Sequence, residues 1–331
     1  MLNYKRAGVD IDKANKFVFS IKRQIASTRN KNVLADIGPF AGLYQLSLIK
    51  KYKQPVLVAS SDGVGTKIKL CILCKKYQVA GYDLVAMNVN DIITTGAQPL
   101  FFLDYFASSK LDPAVAKEVI KGVVKGCRDS GMCLLGGETA EMPDFYNKDE
   151  FDLAGFAVGI VEKNRIINPH KIKCGDILIG LASSGPHSNG YSLIRKVFSS
   201  KEVKDYWHKY LLRPTRIYVK AVQALLTEII PGGMAHISGG GFYDNIPRML
   251  PDGFGVRISV TWRIPRIFKE IQNRAKIPDQ EMFRTFNMGI GYAVIISPRL
   301  LNKVKKILTA IGEKFYIIGE VVKGKKQVVI T

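Results

Sequence analysis

Residues Asp62-Gly63-Val64-Gly65-Thr66-Lys67 place a carboxylate, two glycines, a hydroxyl and an ammonium within six positions. That set suits a metal-bound polyphosphate. A carboxylate can hold Mg²⁺, which favours one or two protein carboxylates together with phosphate oxygens. Glycines let the backbone approach the ligand. The lysine can neutralise a phosphate, and a helix start offers unpaired N–H groups. The order of residues is not that of a Walker A loop. A tight turn followed by a capped helix is the competing reading, and one Asp-Gly turn alone does not decide between them.

Two more clusters stand in the first half. Asn88 and Asp91 are three apart, so a helix over 83–95 carries them on one face, with Thr95 continuing it and Val85, Val89 and Ile92 turned to the core. That face is either the second half of a metal site or a solvated polar face. Gly136-Gly137-Glu138-Thr139-Ala140-Glu141-Met142-Pro143 follows the apolar run 132–135 and again sets glycines and carboxylates just past a strand. Three such loops are hard to explain as turns alone. In the second half, His187 lies between Gly185 and Gly190, and His236 opens a glycine-rich stretch to Gly241. Loops of this kind let an imidazole approach a phosphate or an amide, although a structural role is the alternative. The other two of the four histidines, His170 and His208, have linker-like, polar surroundings.

These residues need elements to hold them. Apolar runs predict strands at 55–60, 99–106, 153–161, 176–182, 290–296 and 315–322. Helical patterns cover 68–77, 83–95 (closed by Gly96), 113–129 (closed by Gly131), a segment from Gly190, 215–230 and 298–311. Residues 168–170 read as a linker. The mixture gives α/β or α+β domains with mixed sheets. A chain of 331 residues with 47% apolar content supports two domains with substantial cores. No uncharged apolar run reaches membrane-spanning length, and the start lacks the pattern of a secretory signal. Five scattered cysteines fit a reduced compartment, the cytoplasm. Cys71 and Cys74 form a CxxC inside a predicted helix with no second pair, so core packing is the better reading. The net charge of +21 is spread along the chain rather than gathered into a nucleic-acid motif. Coding drift in an AT-rich genome accounts for it, and it would assist the approach of anionic substrates.

Taken together, these motifs resemble those of the aminoimidazole ribonucleotide synthetases, the phosphoribosylformylglycinamidine cyclo-ligases. The resemblance runs nearly end to end. It includes Tyr4-Lys5-Arg6-Ala7-Gly8-Val9-Asp10-Ile11-Asp12, the 62–67 loop, Asp83-Leu84-Val85-Ala86-Met87-Asn88-Val89-Asn90-Asp91 and the 136–143 cluster. It continues through Ser183-Ser184-Gly185-Pro186-His187-Ser188-Asn189-Gly190-Tyr191-Ser192, His236-Ile237-Ser238-Gly239-Gly240-Gly241-Phe242 and Arg284-Thr285-Phe286-Asn287 followed by Gly289. The resemblance implies two α/β domains. Residues 1–167 would form an ATP-binding, dimerising domain whose mixed sheet is completed into a barrel in a homodimer. Residues 168–331 would close over the substrate. It implies ATP as co-substrate with Mg²⁺, and ring closure of formylglycinamidine ribonucleotide, with no nucleic-acid or membrane partner. On that basis Asp62 and Asp91 are the expected metal ligands, with Asn88 and Glu138 beside them. Lys22, Gly63, Gly65, Thr66, Lys67, Gly137 and Thr139 are the expected ATP and phosphate contacts. His187 and His236 are the expected catalytic pair.

Departures from the family pattern are local. Gly38-Pro39-Phe40-Ala41-Gly42 carries a proline and an alanine where the family's ATP-covering segment has more glycine, and 200–206 reads as a trimmed surface loop. Related ATP-binding families fit less well. A selenophosphate synthetase would carry a cysteine in 30–45, which has none. A thiamine-monophosphate kinase would not share 183–192 and 236–242. A formylglycinamide ribonucleotide amidotransferase would be much longer.

Overall fold

In the computed structural model, which describes residues 7–331, Asp10 opens the first helix, α1 (Ile11–Ala26). Its carboxylate accepts from the Lys13 N–H at 3.1 Å, satisfying one of the free donors at the helix start. Phe17, Ile21 and Ile25 form the buried stripe, at the spacing that an amphipathic helix requires. The first three residues of the Tyr4–Asp12 motif lie outside the described residues.

The chain divides into two compact units. One runs to Ile92 and resumes over Pro99–Glu162. The other takes Ile93–Gln98 and Lys163–Thr331, so the chain passes between units three times.

The first unit holds β1 (Pro55–Gly63), α2 (Lys67–Leu73), α3 (Tyr77–Ile92), β2 (Gln98–Ser108), α4 (Pro113–Ser130), β3 (Cys133–Glu141) and β4 (Phe151–Glu162). Two expectations need correction here. Asp62 and Gly63 are not turn residues: β1 continues through them because they pair with Gly155 and Ala154 of β4. Likewise Gly136 to Glu141 belong to β3, paired in parallel with β2. Glycines signal turns only where no neighbouring strand claims their backbone. The strand order is β1-β4-β2-β3, with β1 and β4 antiparallel. Just past β2, the Ser109 N–H donates to the Glu150 carbonyl just before β4, at 3.3 Å. The far ends of β1, β2 and β3 therefore gather at one edge of the layer.

One face of this sheet is covered by α3 and α4. The two helices approach until backbones touch. A Cβ on Gly81 would strike the Val119 carbonyl oxygen, and one on Gly122 would strike the Gln78 carbonyl oxygen. Asp112 caps α4 by accepting from the Ala114 and Val115 N–H groups, Pro113 begins it, and Gly131 ends it in a left-handed conformation. The opposite face stays open in places. Leu57 is 59% exposed and Phe156, paired with Ser61, is 44% exposed.

The second unit is built on a six-stranded sheet. Its strands are β5 (Ile177–Ala182), β6 (Gly233–His236), β7 (Phe254–Ile258), β8 (Ile290–Ile296), β9 (Phe315–Lys323) and β10 (Val328–Ile330). Their order is β10-β7-β9-β5-β8-β6, antiparallel except for β10 beside β7. A helix, α5 (Tyr191–Val197), follows the first glycine loop, with Gly190 left-handed at its cap. Residues 200–211, which include the segment read as a trimmed surface loop, are helical, with a π turn at Val203–Trp207. Within this unit the bonds that hold the 93–98 segment include Ile167 N–H to the Thr95 carbonyl (3.0 Å) and Gln223 Nε2 to the Ala97 carbonyl (2.9 Å). No described helix is long and apolar enough to cross a membrane.

Candidate active site

Asp62 sits near the end of β1 on the face turned to α3. Its partner across the ladder is Gly155, where a Cβ would meet Phe102, the Asn88 amide and Leu84. That glycine is what lets α3 lie so close. The Asn88 Nδ2 donates to the Asp62 carbonyl at 3.2 Å and to the Leu84 carbonyl at 2.8 Å. Its Oδ1 is buried and accepts no hydrogen bond among the described residues. Asp91, one turn further along α3, is half-buried. Beyond the strand, the chain loosens. Gly65 has φ 69° with open space around it, and Thr66 is exposed. The structure thus brings Asn88 against Asp62 near an exposed glycine loop, with Asp91 one turn further along the same helix. A buried amide oxygen with no donor, next to the Asp62 backbone and on the helix face that carries Asp91, suits the all-oxygen donor set that Mg²⁺ takes.

Lys67 is placed otherwise. Its ammonium pairs with Asp83 of α3 at 2.5 Å, and neither side chain exposes any surface. The pair joins α2 to α3 rather than facing the loop mouth. It lies beside Cys71, whose thiol is pushed up to about 12, mainly by burial and partly offset by Lys67. No redox role is available to such a thiol. Asp83 escaped the sequence reading as a site residue, although an aspartate inside an otherwise apolar helix is a recognisable signal.

Glu138 is separated from Asp62. It lies on β3, at the opposite edge of the sheet from β1, three strand spacings or about 14 Å across. It also shares its face with Tyr105, away from the helices. Gly137 and Thr139 are on the helix side, paired with Asp104 and Phe106. A Cβ on Gly137 would collide with the Asp104 carboxyl. Asp104 itself is buried, and desolvation raises its pKa to about 7. Lys22 on α1 reaches the 38–42 loop: its Nζ lies 3.7 Å from where a Cβ on Gly38 would stand. Among the described residues no group of three or more His, Cys, Asp or Glu is arranged to hold a metal.

In the second unit the two glycine loops are clamped by asparagines. Asn287 accepts from the Ser183 hydroxyl and the Gly289 N–H, both at 2.9 Å, and donates to the Gly185 carbonyl at 2.8 Å. Asn245 donates to the carbonyls of Ser238, Gly239 and Gly241 at 2.8–3.3 Å. Both were missed as site residues, though Asn287 closes a motif already singled out. His187 has φ 61° and is 1% exposed. Its Nε2 accepts from the Ser184 and Arg216 N–H groups at 3.3 and 3.5 Å. The ring packs over Gly291 of β8, where a Cβ would strike it. His236 ends β6 opposite Tyr292, the next residue of β8, and is 4% exposed. The structure therefore brings the two histidines to one stretch of β8, with both rings buried.

The whole chain has close relatives. It is 53% identical to the phosphoribosylformylglycinamidine cyclo-ligase of Thermoanaerobacter sp. (strain X514), over 99% of this chain and 100% of that protein. The chain belongs to the phosphoribosylformylglycinamidine cyclo-ligase family. A second cyclo-ligase, from Thermodesulfovibrio yellowstonii, is 51% identical over 98% of this chain and 97% of that protein. The AIR synthase related protein N-terminal domain matches residues 44–161, and the corresponding C-terminal domain matches 173–331. The family's fold is shared more widely. Thiamine-monophosphate kinase from Stenotrophomonas maltophilia K279a superposes with a TM-score of 0.70 at 13% identity, over 94% of this chain and 96% of that one. Hydrogenase maturation protein HypE in complex with ATP gives 0.68 at 15% identity, over 96% and 90%. At such identities the likeness shows the fold alone, whereas the cyclo-ligases share half their residues with this chain.

Proposed function

We propose that the chain closes the imidazole ring of a purine precursor: formylglycinamidine ribonucleotide and ATP give aminoimidazole ribonucleotide, ADP and phosphate. The end-to-end relationship to cyclo-ligases carries this reading. The chemical difficulty is an amide oxygen that will not leave as hydroxide at neutral pH. Transfer of the γ-phosphoryl group to that oxygen gives an iminophosphate and ADP. A nitrogen of the same molecule then attacks the activated carbon, and the C–O bond breaks to release phosphate. The second step is intramolecular, so the protein's task there is orientation. In the first step it must place donors and charge around the phosphoryl group.

The exposed Gly65–Thr66 loop suits the phosphates of ATP, and Lys22 beside Gly38 supplies a cation to a second loop. Asp62, Asn88 and Asp91 would hold Mg²⁺, which neutralises phosphate charge when bound. Asp62→Asn removes one anionic oxygen but little volume. It is expected to fold normally and lose at least about 100-fold in ATP turnover, read as kcat/KM. Normal turnover by this variant would remove Asp62 from the metal site. The activity itself is tested by coupled detection of ADP with formylglycinamidine ribonucleotide, set against its formylglycinamide precursor. Preference for the precursor would overturn the assignment.

The same reading makes the protein a homodimer of the cytoplasm. The open, partly apolar face of the first sheet supports the first point. Five free cysteines and a dependence on ATP support the second.

A further inference from the structure

A cavity of about 540 Å³ lies at the edge of the first unit where β2 and β3 end. It is lined by Lys13, Ser109, Lys110, Glu141, Tyr146 and Lys148, among others. Of its three lining carboxylates, Asp144 is exposed and the other two serve the frame. Both oxygens of Glu141 accept backbone N–H groups, from Asp10 and from Leu111, each at 2.8 Å. Asp10 caps α1. These carboxylates therefore fasten the start of α1 to the chain leaving β2, and so fix two walls. Lys13 also braces the wall, donating to the Leu111 carbonyl. Lys110 and Lys148, by contrast, are exposed at the rim. The Ser109 hydroxyl is buried in the wall and makes no hydrogen bond among the described residues. Tyr146 adds a half-buried ring. The 16-residue helix α1 turns its N-terminal end, with its partial positive charge, to the same space.

Position narrows the ligand. Glu150 ties the region together: its carbonyl accepts from the Ser109 N–H, and its carboxylate pairs with Lys69 of α2. The cavity is thus joined through one residue to the helix that follows the Asp62–Thr66 loop. The volume matches a small polar ligand. We propose that this cavity holds the 5′-phosphate of the ribonucleotide substrate, with Lys110 and Lys148 as cations and the Ser109 hydroxyl as a further partner. The proposal rests on the cyclo-ligase reading above and adds the phosphomonoester subsite to it.

The test is the double substitution Lys110→Ala/Lys148→Ala, joined by Ser109→Ala, and compared with wild type in steady-state kinetics and calorimetric titration of formylglycinamidine ribonucleotide. Each charge-assisted hydrogen bond lost should raise KM and Kd for the ribonucleotide roughly tenfold. The KM for ATP should stay within about twofold. The dephosphorylated riboside should bind wild type weakly, and the double variant should no longer distinguish it from the ribonucleotide. Unchanged ribonucleotide affinity in the double variant would overturn the proposal. So would a rise confined to the KM for ATP, which would make the cavity part of the nucleotide site. Failure of wild type to release ADP with the ribonucleotide would count instead against the cyclo-ligase reading.

Discussion

Lys67 and Asp83 have given up all contact with water, and their mutual attraction offsets part of that loss. Removing either partner leaves the other's buried charge without its ion-pair partner. Asp83→Leu and Lys67→Met are each expected to cost about 3–5 kcal/mol, whereas Lys67→Met/Asp83→Leu should cost much less than their sum. Denaturant midpoints of the four proteins measure this, and additive losses would mean that the pair is not coupled. Asp104 presents the opposite case, a buried carboxyl whose pKa is raised from 3.8 to about 7 by desolvation. The unfolded chain releases that proton near pH 4, and the folded chain keeps it until about pH 7. Between those values the native state binds more protons, so stability falls as pH rises and the loss is complete above pH 7. Asp104→Asn should therefore stabilise the protein at pH 8 by up to about 4 kcal/mol and progressively less toward pH 4. Urea unfolding at pH 5 and pH 8 checks the sign; an equal effect at both would refute it.

At the scale of elements, the contact between α3 and α4 sets where Asn88 and Asp91 stand. Gly81 and Gly122 each meet a carbonyl oxygen of the other helix, so no side chain fits. Gly81→Ala or Gly122→Ala should part the helices at a cost of about 2–3 kcal/mol or more. Thermal unfolding will show the loss, and a raised KM for ATP will show that α3 has moved; an unchanged melting temperature would mean that the helices yield freely. Nothing local announces this contact, because glycine in a helix pattern reads only as a weak position. The same limit governed the strands. The apolar runs at 99–106, 153–161 and 290–296 were legible as β2, β4 and β8. That Asp62-Gly63 and Gly136 to Glu141 also extend was not, because the cause is a ladder partner elsewhere in the chain. Part of the candidate site was readable for a similar reason. Asn88 and Asp91 share a helix face by spacing alone, whereas the partner of Lys67 lies 16 positions on and is fixed by tertiary packing. Helix α1 was overlooked although Asp10 and the Phe17-Ile21-Ile25 spacing mark it.

For the molecule as a whole, the open face of the first sheet asks for a cover. Leu57 and Phe156 stand on it with Val158 and Ala59 between them. A symmetric dimer would bury that face against its own copy. Leu57→Lys is expected to convert a micromolar dimer into monomer, as measured by light scattering. A wild-type protein that is monomeric and fully active at the same concentration would refute the dimer. The net charge of +21 per chain repels such an approach, so the dimer should also tighten as salt is added.

The three passages of the chain between its two units carry a consequence for synthesis. Residues 93–98 are made between α3 and β2, yet they belong with the later unit. Ala97 meets Gln223 across 126 residues. At ordinary translation rates the ribosome needs roughly 6–25 s to cover that distance. Once residue 162 is made, the first unit has all its strands, while Ile93 and Ala97, both fully buried in the finished protein, still have no core to enter. Cutting the polypeptide after residue 162 would make this waiting state permanent, leaving one fragment with an uncovered segment and the other without the piece that packs against it.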